Sequence, residues 1–260
     1  MEMQGRSHEG IEWLRKTAPR WTDSSGFALH HWWHLALFHL DVDEPRVALD
    51  LYDTRLRAGR PAHAGALVDA SSLLWRFELH GVDVGTRWRE IADGWSARPI
   101  GGLRPFNDVH AMLAFVGAGR EASATRLLAQ LRDSAARSAD LGSAIHRSAV
   151  PFCEALLAFG RGDHDEAVER LTLLSHLSER CGGSRAQCDL VHLTWVEAAL
   201  RASRHRLARG LIAQRSARKP ESRINRRLAA RVPAAAAGAL PPLLARRPNH
   251  GRQLASGTYM

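Results

Sequence analysis

Apolar residues recur at i, i+3, i+4 spacing along most of the chain, and short polar turns interrupt them at regular intervals. That period marks one face of an α-helix, not the alternation of a strand. Trp33, Leu37 and Leu40 make one such face, and Leu67, Leu74 and Phe77 make the next. Val109, Leu113 and Val116 continue the series, followed by Leu156, Leu157 and Phe159, then Leu193, Val196 and Leu200. Each face ends at a glycine or a short polar turn, as helix C-termini do, and a second amphipathic segment follows. Pro105, Pro151 and Pro220 fall near the boundaries, where a missing N–H costs least; Pro151 also suits a place inside a first helix.

The second segments align on one small residue each: Gly10, Ala48, Thr86, Ala124, Ala167 and Ala208. The intervals are 38, 38, 38, 43 and 41 residues. A small residue at that place lets the second helix of a pair cross closely against the first. Two helices in a unit of this length predict a helical solenoid. The expected fold is all-α, a right-handed superhelix of about six tetratricopeptide-like helix pairs over residues 1–231. The fifth unit comes nearest the tetratricopeptide pattern, with Ala155 to Phe159, a Gly160 to Asp163 turn, then His164-Asp165-Glu166-Ala167. The first unit has almost no first helix, which predicts exposed apolar side chains at Ile11, Trp13 and Leu14. From Val232 the sequence turns to alanine and proline without periodicity, and 232–260 reads as a disordered low-complexity tail.

Charge changes the picture only by its distribution. The formal net charge is +9. From Arg201 to Met260 there are 14 Lys or Arg and one acidic residue, Glu221, so that the preceding 200 residues carry a net −4. The C-terminal stretch reads as an unstructured end with no partner, or alternatively as a basic tail that attracts polyanions without specificity, and not as a specific nucleic-acid site. The three cysteines, Cys153, Cys181 and Cys188, form no regular framework of the kind that staples secreted domains. Met1 to Gly10 lacks the apolar core of a signal peptide, and no apolar run reaches the ~18 residues of a membrane span. The expected location is the cytoplasm.

Several segments resemble the tetratricopeptide repeat protein 38 family. They are His31-Trp32-Trp33-His34-Leu35-Ala36-Leu37-Phe38-His39-Leu40, Asp69 to Arg76 followed by Gly81-Val82-Asp83-Val84, Phe106 to Met112, and the region from Ser184 to Ser222. The resemblance covers roughly Glu2 to Arg231. It implies that the chain corresponds to the C-terminal part of a family member, with Met1 at an internal point of the family pattern and the tail outside it.

In tetratricopeptide arrays the first helices line the concave face, so their polar residues are the candidate contacts. His31 and His34 lie on one first helix, with His30 and His39. Asp69 and Arg76 lie on the next, in line with Ser72. Asn107, Asp108 and His110 open the one after, where Asn107 or Asp108 also suits a helix cap. Arg185, Gln187, Asp189 and His192 open the last. Trp32, Trp33 and Trp75 fit either a pocket lining or the core. The resulting expectation is a helical-repeat protein that binds a peptide or a small polar ligand in its concave groove, with no cofactor and no membrane. Two alternatives stand beside it: a cryptic hydrolase or metal-assisted enzyme using the groove's His, Asp and Asn residues, and a truncated fragment without a function of its own. The sequence carries no Gly-x-Ser-x-Gly elbow and no His-Glu-x-x-His.

Overall fold

A computed structural model describes residues 1, 4–22, 27–57, 63–137, 144–174 and 184–234, and the regular elements among them are all helical. The expected tail lies outside the described residues from 235 onward. In chain order the helices are α1 (Ser7–Trp21), α2 (Ala28–Asp41), α3 (Pro45–Leu51), α4 (Ala64–Leu79), α5 (Arg87–Ser96) and α6 (Pro105–Gly117). There follow α7 (Glu121–Arg137), α8 (Ala144–Gly160), α9 (His164–Leu173), α10 (Arg185–Arg201), α11 (His205–Arg218) and α12 (Arg223–Ala230). A π-helical turn, Tyr52–Leu56, extends α3. No described helix is long and apolar enough to cross a membrane.

The repeat is written in the backbone. Gly5, Asp43, Gly81, Gly119, Gly162 and Ser203 all have left-handed φ, between +56° and +83°. Each lies five residues before one of the aligned small residues, so their spacing is the same. Five of them close a first helix in the same way. The N–H groups of Glu44, Val82, Arg120, Asp163 and Arg204 reach back to His39, Phe77, Phe115, Ala158 and Ala199 carbonyls at 2.8–3.0 Å. Asp43, Gly81, Gly119, Gly162 and Ser203 themselves donate to the carbonyl three residues earlier. This double bond pattern satisfies the carbonyls that a helix end leaves open, and it needs a left-handed residue at the stop. Glycine takes that conformation without strain, while Asp43 and Ser203 hold it with a side chain. The next helix starts two residues later in every unit but one. After Gly81 the chain spends four further residues before α5, so Thr86 is an exposed turn residue and not a crossing point. The other aligned residues do sit at crossings: Ala48, Ala124, Ala167 and Ala208 are fully buried, and a Cβ on Gly10 would overlap the Phe38 ring.

Capping adds local definition. Ser184 and Gln187 form a reciprocal capping box at the start of α10, Asp163 caps α9, and Ser222 caps α12. Helix α6 starts otherwise. Pro105 is its first residue and Arg104 makes no side-chain cap bond, so neither Asn107 nor Asp108 caps it. Pro151 lies inside α8. Cys153 is buried and free, whereas Cys188 is disulfide-bonded.

The helices α2, α4, α6 and α8 pack side by side in succession, each against its partner second helix. Helix α10 then packs on α9 and also returns to α4, and α12 packs on α11 and on α2. Trp75 Nε1 donates to Thr194 Oγ1 at 3.0 Å, across 119 residues of sequence. The Asp41 carboxylate accepts from Ser7 Oγ at 2.7 Å and from Ser222 Oγ at 2.6 Å, tying α1, α2 and the start of α12 together. An open array would leave the inner face of α4 to solvent; here α10 covers it. Of the side chains expected to be bare at the first unit, Leu14 is buried against the core and Ile11 packs on it, while Trp13 is 52% exposed.

Two variants test this packing. Gly10→Val should lower the unfolding free energy by about 1–3 kcal/mol through overpacking against Phe38, whereas Thr86→Ala should stay within about 0.5 kcal/mol; urea unfolding followed by circular dichroism measures both, and equal effects would contradict the crossing geometry. Asp41→Ala strands two buried hydroxyls at the closure. Hydrogen exchange should then speed up in α12 and the start of α1 before it does in α6 and α8, and uniform acceleration would mean that Asp41 does not hold the seam.

Candidate functional site

Of the candidate residues, His34, Asp69 and Arg76 gather around Trp33, together with His30 and Ser72. Its indole N–H donates to Ser72 Oγ at 2.9 Å, and Ser72 donates in turn to the Asp69 carbonyl at 3.0 Å. The carboxylate of the same Asp69 holds His30 Nδ1 at 3.1 Å from both oxygens. Both pairs span 39 residues, one repeat, because α2 and α4 are consecutive first helices. His30 stacks on Trp33 with centroids 5.0 Å apart, and His34 meets the edges of His30 and Trp33 at 4.7 and 4.8 Å. The guanidinium of Arg76 lies 5.6 Å from the Trp33 ring centroid. Asp69 is buried, whereas His30 retains 30% side-chain exposure and His34 is half-buried.

His110 comes in from α6, close enough for its titration to feel both Asp69 and Arg76. It is 3% exposed. Its Nδ1 lies 2.8 Å from the Phe106 carbonyl, which only a ring N–H can satisfy, so the proton sits there and Nε2 carries the lone pair. That buried Nε2 has no partner. Burial pushes the His110 pKa down to about 4, against the partly offsetting bond to Phe106.

The other expected residues go elsewhere. His31 turns toward α1, its ring 5.0 Å from Trp21, and burial, with His30 and His34 nearby, lowers its pKa. Asp108 is buried and accepts from the Gly101 and Gly102 N–H groups at 2.8 Å each, pinning the loop before α6. Asn107 is half-buried next to it, and Arg185 is exposed in the first turn of α10. Arg76 is 4% exposed and donates to the Ser72 carbonyl and, at 2.6 Å, to Ala186 O. Trp32, Trp33 and Trp75 are core. Besides Trp33 and Trp75, Trp95 donates to Ser71 and Trp88 to Glu78, each at 2.9 Å.

This arrangement bears on the chemistry. Ser72 is fully buried, gives its proton to a helix carbonyl and accepts from Trp33, so it is held as a spacer and not presented as a nucleophile. Among the described residues no three His, Cys, Asp or Glu groups are placed to hold a metal ion. What remains is a rigid histidine surface backed by a carboxylate.

A second polar group joins Asp189, expected on the last first helix, to partners that the sequence reading missed. Asp189 forms a two-point pair with Arg215 at 2.6 and 3.1 Å; burial alone would raise its carboxyl, but Arg215 and Lys219 hold it far below the usual range. Glu197 is 3% exposed and takes Arg201 and both terminal nitrogens of Arg231. A glutamate between Val196 and Ala198, in the largely apolar second half of α10, was the available signal. No family model matches the chain, and no solved structure is significantly similar to it.

The buried histidines set a pH dependence. His110, like the half-buried His80 and His192, is pushed by burial to about 4. The unfolded chain takes up the proton near pH 6.5 while the folded chain refuses it, so stability is full above 6.5 and is lost as pH falls from 6.5 toward 4. At pH 5 the loss is about 2 kcal/mol for His110 alone. His110→Phe should remove that share, flattening the change in urea midpoint between pH 7.5 and pH 5; an unaltered slope would show that His110 titrates normally.

Proposed function

We propose that the chain is a tetratricopeptide-type helical-repeat binding protein, similar to the tetratricopeptide repeat protein 38 family, whose histidine surface on α2 takes a peptide or a small polar ligand. Six left-handed turns at the repeat interval support the repeat reading. The segments that carry the family resemblance supply α2, α4 and the start of α6, the elements that build the histidine surface. The observation that carries the binding reading is the interlocked set of His30, Trp33 and His34 rings, fixed from beneath by Asp69 and Ser72. A binding surface needs side chains whose rotamers are already paid for, and rings locked by packing and hydrogen bonds meet that requirement. Histidine adds donors, acceptors and a face for stacking. The conformation of His30 depends on Asp69, which makes Asp69 a positioning residue here.

The test is a display library of random peptides panned against the full chain, with the enriched sequences titrated by fluorescence anisotropy. Enriched peptides should bind His30→Ala/His34→Ala at least tenfold more weakly, and should bind Arg126→Ala, on the outer helix α7, as they bind the parent chain. No enrichment, or equal affinity for the histidine variant, would refute the reading.

A further inference from the structure

A pocket of about 360 Å³ opens where the chain closes on itself, between the end of α4, the second half of α10 and α12. Its volume lies in the range of small-molecule sites. Its apolar lining comes from Leu79, Ile224 and Leu228. Its polar lining includes Arg201, Arg227, Arg231 and Glu197.

The guanidinium groups are positioned by the fold. Arg231 places both terminal nitrogens on Glu197, at 2.6 and 2.9 Å. Arg201 uses Nε on the same carboxylate at 2.8 Å, and its Cζ lies 4.8 Å from the Phe159 ring centroid. Arg227 donates to the His80 carbonyl at 3.3 Å and to Asp43 Oδ1 at 3.1 Å. The Arg227 and Asp43 side chains are 52% and 43% exposed, so water screens that pair. Three cations therefore face two carboxylates, one of them buried beneath the guanidinium groups and the other at the outer edge. His80 contributes no charge at neutral pH. Burial, then Arg215, Arg227 and Arg76, drive its pKa down to about 4, with Glu197 opposing.

Arginine has five N–H donors in a planar fork, and only the Arg201 Nε is spent on Glu197. The remaining edge of Arg201 and the exposed side of Arg227 come from different helices and border one concavity. That is the chemistry of a tetrahedral oxyanion site, where several forked donors meet an acceptor with three free oxygens.

The geometry points to a binding site for a small organic phosphate monoester, its phosphate between Arg201 and Arg227 and its apolar body against Leu79, Ile224 and Leu228. The site is separate from the histidine surface and does not rest on the peptide reading. Its occupant would bridge α4, α10 and α12, and so would bind the closed chain in preference to an opened one.

Phenyl phosphate is a suitable probe, titrated calorimetrically into the full chain at 150 mM sodium chloride. Saturable one-to-one binding is expected, weakened at least tenfold in Arg201→Gln/Arg227→Gln. These two residues can be replaced without stranding Glu197, which keeps Arg231. A tail variant, Arg246→Gln/Arg247→Gln/Arg252→Gln, should bind as the parent does. If the pocket variant fails to fold, arginine Nε–H resonances of the parent chain give a second reading, with Arg201 and Arg227 shifting saturably on addition of phenyl phosphate. Unsaturable heats with no such shift, wild-type affinity in the pocket variant, or loss of binding in the tail variant alone would overturn the proposal.

Discussion

Arg76 is a cation inside the protein, and the closed shape depends on how it is satisfied. Placing a guanidinium out of water costs several kcal/mol unless its donors find acceptors. One donor stays within α4, on the Ser72 carbonyl. Another crosses to the Ala186 carbonyl in the first turn of α10, 110 residues later. Trp75, its neighbour in sequence, makes the parallel bond to Thr194. Two consecutive residues of α4 therefore hold α10 at two points just over two turns apart. Detaching α10 would leave a buried charge and a buried indole N–H without these partners, a larger penalty than loss of apolar contact alone.

The charge distribution takes a different meaning in this light. An acidic body and a basic C-terminal stretch look like a domain with an unstructured tail. Most of the basic residues, from Arg201 to Arg231, instead belong to or border α10, α11 and α12. Arg204 meets Asp165, Arg215 meets Asp189, Arg227 meets Asp43, and Arg231 meets Glu197. Four acidic residues, Asp43, Asp165, Asp189 and Glu197, are partners of this basic stretch, while others in the body pair with arginines of the body itself. The exposed pairs among these add little energy each, but Arg215–Asp189 is largely dry, and at Glu197 the carboxylate is buried beneath partly exposed arginines. Only Arg246, Arg247 and Arg252 lie beyond Arg231.

The unit length and its small crossing residues were legible because a helix–turn–helix unit is a local object. Gly81, Gly119 and Gly162 mark stops that glycine chemistry explains; Asp43 and Ser203 take the same conformation with no sequence signal beyond their spacing. Thr86 misled because Val82 to Gly85 lengthen one turn without disturbing the interval. Closure was not legible. Its partners are a main-chain carbonyl at Ala186 and a threonine in an apolar run, and neither residue type announces a contact 110 residues away. The same limit governed the site. Asp69 and His34 were placed correctly on neighbouring helices, but periodicity does not say which of two adjacent histidines faces the next helix. His30 does, and His31, about 100° round the helix, faces α1. Asp108 looked like a cap or a ligand contact because the conformation of Gly101 and Gly102, which it holds, is a property of the loop.

Closure also decides where chemistry remains possible. In an open array every first helix offers its inner face, and polar residues there wait for a partner. Once α10 lies on α4, that face becomes core and its polar groups must be satisfied from within; Arg76 is, and His110 Nε2 is not. A periodic pattern packs consecutive helices well because each unit is shaped by the same interval. The contact of α10 and α12 with α4 and α2 joins helices that are not consecutive, so no repeat rule matches their surfaces. Imperfect fit is concentrated at such a seam, and the seam contains the arginine-lined pocket. The histidine surface escapes burial for the complementary reason: the ring set on α2 meets α4 along the regular interval, which fixes its depth and leaves His30 and His34 half-exposed above a buried carboxylate.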